Sequence, residues 1–221
     1  YVFWVNGASN VSFRNLAITS RPPSGSNAHV LKIDNADNIS LQNVLLRVKG
    51  GVNSDKASCL VLGDSVGTLS VSSSTLDSGY YSITAAGEGN RNFTIQNSTF
   101  SNFSTGALNL KNLTNVDITK NSIYSSLKTK QIAVYMENAD SAIYIQKNKI
   151  YLLAVPGTND KNGRRGIDLK NVSGSSLQYA YVVNNMVSLR SEGVTGYAPA
   201  GISIDGTSSY INVYYNSVRL Y

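Results

Sequence analysis

The stretch LNLKNLTNVDITKNSIY, Leu108 to Tyr124, decides the fold. Leu108 and Leu110 alternate with polar residues, and so do Val116 and Ile118. A period of two marks a strand with one buried face. Asn121 and Ile123 follow. The stretch reads as strand, turn, strand, a two-residue bend at Asn121 and a short third strand.

The same pattern recurs along the chain. VSFRNLAI places Leu16 in the slot of Asn121, ISLQNVLL places Val44 there, and LSVSSSTL places Ser74. FTIQNSTF gives Ser98, IYIQKNKI gives Asn148, YAYVVNNM gives Asn184 and INVYYNSV gives Asn216. The intervals run from 23 residues (Ser98 to Asn121) to 36 (Asn148 to Asn184). An earlier alternating piece precedes each copy: FWV at Phe3, LKI at Leu31, LVL at Leu60, SIT at Ser82, LNL at Leu108, VYM at Val134, IDL at Ile167 and ISI at Ile202. No segment carries a sustained 3.6-residue apolar period, so no substantial helix is expected.

One such unit cannot bury its apolar face, but stacked units can, each strand pairing with its counterpart about 4.8 Å away. The expected fold is therefore all-β: a right-handed parallel β-helix, or solenoid, of about eight rungs, with residues 1–221 as a single domain. A β-sandwich would need hairpins at tight spacing and gives no reason for so long a repeat. Like residues stack in such a fold, so Asn121, Asn148, Asn184 and Asn216 are expected to form an asparagine ladder at the bend. Asparagine suits a left-handed backbone there. Because the earlier slots hold Ser98, Ser74, Val44 and Leu16, the ladder is expected only in the C-terminal half.

Composition narrows the function. Apolar residues make up 42% of the 221 and charged residues 14%, which excludes a disordered chain. The net charge of +6 comes from scattered residues, with Lys161, Arg164 and Arg165 the nearest thing to a cluster, so no nucleic-acid partner is expected. No apolar run approaches the roughly 20 residues of a membrane span. Cys59 is the sole cysteine and His29 the sole histidine, which leaves no internal disulfide and no histidine metal cluster. The acids are spaced between lysines rather than converging, so no metal and no cofactor is expected. Both ends lie in apolar runs, Tyr1–Val5 and Val213–Tyr221, so further rungs or caps from a longer parent chain are the expected flanking partners.

Aligning the first strands gives two outward rows. One reads Trp4, Lys32, Val61, Asn109, Tyr135, Asp168, Ser203. The other reads Asn6, Asp34, Gly63, Lys111, Glu137, Lys170, Asp205, alternating in sign over its last four members. Long loops follow at 153–164 and 188–199, and extra length at one corner of a repeat protein is where function usually sits.

A polysaccharide site is the functional expectation. Glycoside hydrolysis needs two carboxyl groups roughly 5–10 Å apart. Asp168, with Glu137 and Asp205 one rung away, supplies the candidate acids and bases, and Lys170 or Arg165 the electrostatic partner. The plainer reading is a neutral charge ladder stabilising the sheet. Tyr135, Tyr124, Tyr151, Arg164 and Lys111 are the candidate ligand-binding residues, because aromatic faces stack on sugar rings. Seven N-x-S/T sequons, at Asn10, Asn38, Asn92, Asn97, Asn102, Asn112 and Asn171, mostly coincide with turn asparagines.

With the repeats laid out, the chain resembles the right-handed parallel β-helix repeat family over essentially its whole length. That family includes pectate lyases, polygalacturonases, alginate and chondroitin lyases, phage tailspikes and bacterial surface proteins. NKIYLLAV, NNMVSLRS and INVYYNSVRLY are similar in texture to large secreted surface proteins of Bacteroidetes. The resemblance implies a secreted or cell-surface bacterial scaffold with a polysaccharide or cell-surface glycan as partner. Its alternative is a polysaccharide lyase or glycoside hydrolase with its cleft on the first sheet of rungs six to eight. The Asn-Thr-Asp, Asp-Asp, Gly-His-Gly and Arg-Ile-Lys pieces of polygalacturonases do not occur here, so no catalytic residue of the family is carried over.

Overall fold

The structure is a computed structural model that describes residues 1–21, 29–49, 57–126, 131–153, 164–190 and 199–221. The described residues form strands and turns and contain no helix. All strand pairing is parallel, in long sheets that curl into a solenoid-like arrangement.

Each coil of the chain contributes to three ladders. The first runs through Phe3–Asn6, Leu31–Asp34, Leu60–Leu62, Tyr81–Ala85, Gly106–Lys111, the first part of Ile132–Gln146, Arg165–Ser173 and Ala200–Asp205. A second runs through Ser12–Arg14, Ile39–Gln42, Leu69–Ser72, Asn90–Gln96, Leu113–Thr119, the later part of Ile132–Gln146, Ala180–Val183 and Ile211–Tyr214. The long strand Ile132–Gln146 belongs to both, turning at Asn138 and Ser141, whose φ angles are 52° and 70°. The third ladder is a separate eight-stranded sheet, from Ala17–Ser20 to Ser217–Leu220.

Alternation sends one face of every ladder inward. Leu108, Leu110, Val116, Ile118 and Ile123 are all buried, together with their counterparts on neighbouring coils, in one continuous core. The end coils lack a neighbour on one side, and their equivalents Phe3, Val213 and Val218 are 49%, 43% and 45% exposed. The seven sequon asparagines all have positive φ, between 50° and 61°, so turn geometry accounts for their placement.

The bend column differs from expectation in three ways. Its member after Asn148 is Asn185, not Asn184: Asn185 is buried and its Oδ1 accepts the Asn148 backbone N–H at 3.1 Å. In VVNN either asparagine satisfies the pattern by composition. Pairing of Tyr181 with Tyr144 and Val182 with Ile145 fixes the choice, and a one-residue slip inverts every side chain on that strand. Second, the left-handed residue is the one before the column, as at Asn97, Lys120, Lys147 and Asn184. The column residues themselves point inward. Third, the column does not stop where asparagine stops. Ser98 and Ser74 carry it on, with Ser74 N–H donating to Ser98 Oγ at 3.1 Å and Val44 N–H to Ser74 Oγ at 3.2 Å.

A similar slip affects the fourth first-ladder strand. Ile83 stands opposite Leu60 and Leu108, and Ala85 opposite Leu62 and Leu110. Its repeat piece is therefore Ile83–Ala85, one residue later than SIT at Ser82, and Thr84 takes the outward place between Val61 and Asn109.

Candidate functional site

The outward rows of the first ladder are assembled as the alternation implies. Tyr135 lies opposite Asn109 and Asp168, and Asp168 opposite Ser203. Lys111 lies opposite Glu137, Glu137 opposite Lys170, and Lys170 opposite Asp205. In-register parallel pairing turns these positions into continuous columns across the sheet.

The charges engage one another along the sheet. Glu137 accepts from Lys111 Nζ at 2.9 Å through one oxygen and from Lys170 Nζ at 2.7 Å through the other. Hydrogen bonds from Lys170 and Lys111 hold the Glu137 carboxyl down to about 2, against an ordinary value of 4.5. Glu137 in turn raises Lys170 above the usual lysine value. Tyr135 is pushed up by burial and by its hydrogen bond to Glu137. Asp168 is 4% exposed, and Arg165 Nη1 donates to both its oxygens at 2.8 Å. Lys170 stands between Glu137 and Asp205 in register, so neither carboxylate has another directly opposite it.

A depression of about 400 Å³ opens over this surface. Tyr81, Thr105, Asn109, Lys111, Tyr135, Arg165, Asp168, Lys170 and Asp205 are among the residues that line it. Lys111 Nζ lies 5.5 Å from the Tyr135 ring centroid, a cation–π distance. Among the described residues no group of three or more His, Cys, Asp or Glu is placed to hold a metal ion. No helix among them is long and apolar enough to cross a membrane.

Not every sequence candidate belongs here. Arg164, expected on the surface as a ligand contact, is fully buried. Its Nη1 donates to Arg190 O at 3.5 Å, which ties it to the end of the third-ladder strand instead of to the outward face. Tyr124 and Tyr151 do pair in register, 44% and 36% exposed, but on the third ladder. They form a separate patch with Met186, whose Sδ is 3.8 Å from Tyr151 Oη. The two long loops expected to rim the site fall largely at 154–163 and 191–198, outside the described residues.

Tyr81 and Thr105 as site-lining residues escaped the sequence reading, and Asn109 stood in the outward row without being named as a contact. Tyr81 is in the coil whose repeat piece is displaced by one residue, and Thr105 precedes the alternating part of the strand that follows it. Tyr181 was missed for the same reason as Asn185. Its ring stacks on Tyr144 at 5.6 Å with an interplanar angle of 1°. Scans against protein-family models, curated proteins and solved structures each found no match.

Proposed function

We propose that the chain is a right-handed parallel β-helix of eight rungs, related to that repeat family, and that it serves as a secreted or cell-surface scaffold binding a glycan on its first face. Three parallel ladders, with each coil adding one strand to each, support the fold reading. The observation that carries the functional reading is the depression at Tyr81, Asn109 and Tyr135, where Glu137 and Asp168 are already matched by cations. What it offers a ligand is aromatic surface beside amide and hydroxyl groups, the combination that suits sugar rings.

The same pairing weighs against the lyase or hydrolase alternative. A general acid at neutral pH needs a raised carboxyl pKa, and Glu137 is depressed to about 2. As a base it is weak and saturated with donors. Asp168 is held through both oxygens by Arg165.

The test is a panel of neutral and acidic polysaccharides, scored for binding by calorimetry and for chemistry by new reducing ends or unsaturated products. Binding without products is expected. Tyr135→Ala should weaken the bound glycan by about three- to tenfold, the worth of one aromatic contact. Product formation that disappears in Asp168→Asn would establish the enzyme instead, and a panel with no binder would remove the glycan reading.

A further inference from the structure

A second polar surface lies at the bend between the second and third ladders. Lys120, Lys147 and Lys149 line one depression there, about 390 Å³ in volume, together with Asn121 and Ser122. Lys120 and Lys147 follow directly on the paired residues Thr119 and Gln146, and Lys149 lies opposite Ser122. Three cationic side chains therefore share one corner of two successive coils. Among the described residues none of the three forms a salt bridge. Asp117, the nearest acid along the chain, bonds Thr119 and is not part of the lining.

This arrangement runs against the habits of the rest of the molecule. On the first ladder each outward lysine of the charge column faces a carboxylate on the next strand. At the corner, Lys120 and Lys147 are stacked like on like, an arrangement that destabilises neighbouring strands. Both also sit at φ 58°, a left-handed backbone that other coils give to Asn15, Asn43, Ser73, Asn97 and Asn184, and the last coil to Tyr215. Asparagine and serine relieve that conformation through local hydrogen bonds, and lysine does not. Charge repulsion and backbone strain are both carried at a place where asparagine would remove both.

We infer that the Lys120–Lys147–Lys149 corner is a binding site for a tetrahedral oxyanion, a sulfate or phosphate group either free or borne as an ester on a saccharide. The backbone positions of Lys120 and Lys147 are about one strand spacing apart, and lysine side chains are long enough to bring their ammonium groups onto the oxygens of one such group. A bound oxyanion offsets the repulsion that the free corner carries. Ser122, half-exposed in the same depression, adds a hydroxyl donor. The site stands on a different ladder junction from the glycan depression and does not depend on it.

The experiment measures thermal unfolding of the full chain against millimolar sulfate and phosphate, with chloride at matched ionic strength as reference. Anion at about ten times its dissociation constant multiplies the folded-to-unfolded ratio about elevenfold, and chloride does not. In the Lys120→Asn/Lys147→Asn variant the sulfate response should vanish, while anion-free stability equals or exceeds that of the parent. Asparagine is what four of the equivalent coils already hold, at Asn15, Asn43, Asn97 and Asn184, so the variant folds. Lys149→Gln should weaken the response without the gain in anion-free stability. A sulfated oligosaccharide that binds more tightly than inorganic sulfate identifies an ester-borne group; equal affinity identifies the free ion. A parent chain that responds to sulfate no more than to chloride, or a double variant that keeps the response, overturns the assignment.

Discussion

Two columns run through this molecule by the same in-register stacking, and they solve it in opposite ways. Over four coils the inner one at the bend repeats a single residue type: Asn121, Asn148, Asn185 and Asn216. The outer one on the first ladder alternates Lys111, Glu137, Lys170 and Asp205. An amide is both donor and acceptor, so like stacks on like. Asn148 Nδ2 donates to Asn185 Oδ1 at 3.0 Å and to Ile118 O at 2.8 Å, while its own Oδ1 accepts the Asn121 backbone N–H at 2.9 Å. A charge is only one or the other, so neighbours must change sign. The inner column is buried at Asn121, Asn148 and Asn185, where an unmade hydrogen bond is costly; the outer one is half in water, where an ion pair is worth little.

That contrast breaks most visibly in the core. Asn148→Ala removes the acceptor of Asn121 N–H and the donor to Ile118 O in one step. A loss of about 3 kcal/mol in chemical denaturation is expected, at one to a few kcal/mol for each buried group left unsatisfied. A loss below about 1 kcal/mol would mean that the column is ornamental.

The next effect lies outside and is read through pH. Glu137 titrates below its ordinary value, so the stability it supplies is fully present above about 4.5 and is lost as pH falls toward about 2. Denaturation midpoints of the parent should decline across that window. Glu137→Gln should flatten its own share of the decline, with a cost near neutrality of about 1 kcal/mol or less because both lysines are substantially exposed. An unchanged slope would sever the link between charge column and acid sensitivity.

Comparable in size is the effect at the aromatic pair on the second ladder. Tyr181→Ala removes the stack on Tyr144 and should cost about 1 kcal/mol by the same measurement. Tyr181→Leu, which keeps part of the contact area, should recover some of that loss.

Alternation made the face of nearly every strand legible, because burial on one side writes itself into the sequence with period two. It failed where the local text fits two registers. Asn184 and Asn185 are chemically identical, and only strand neighbours 37 residues earlier tell them apart. Ser82 and Ile83 are both buried, so burial could not anchor that coil either. The charge columns were readable because they need only the alignment of repeats. The tyrosine-lined depression was not, because its concavity depends on how far side chains from three or more coils reach. The lysine corner was hidden by its placement astride a residue that the pattern treats as a bend.

The inner column also has a direction. Asn121 Nδ2 reaches back to Ile95 O, Asn148 to Ile118 O, Asn185 to Ile145 O and Asn216 to Val182 O. At the asparagine bends the coil that comes after thus supplies a bond across the seam, whereas Ser74 and Ser98 bond the carbonyls of Ser72 and Gln96 in their own coils. Over the asparagine coils a chain emerging N-terminus first would therefore latch vectorially, each seam staying ajar until its successor is made. Growth of the stack and closure of its seams become one process, advancing a single coil behind synthesis.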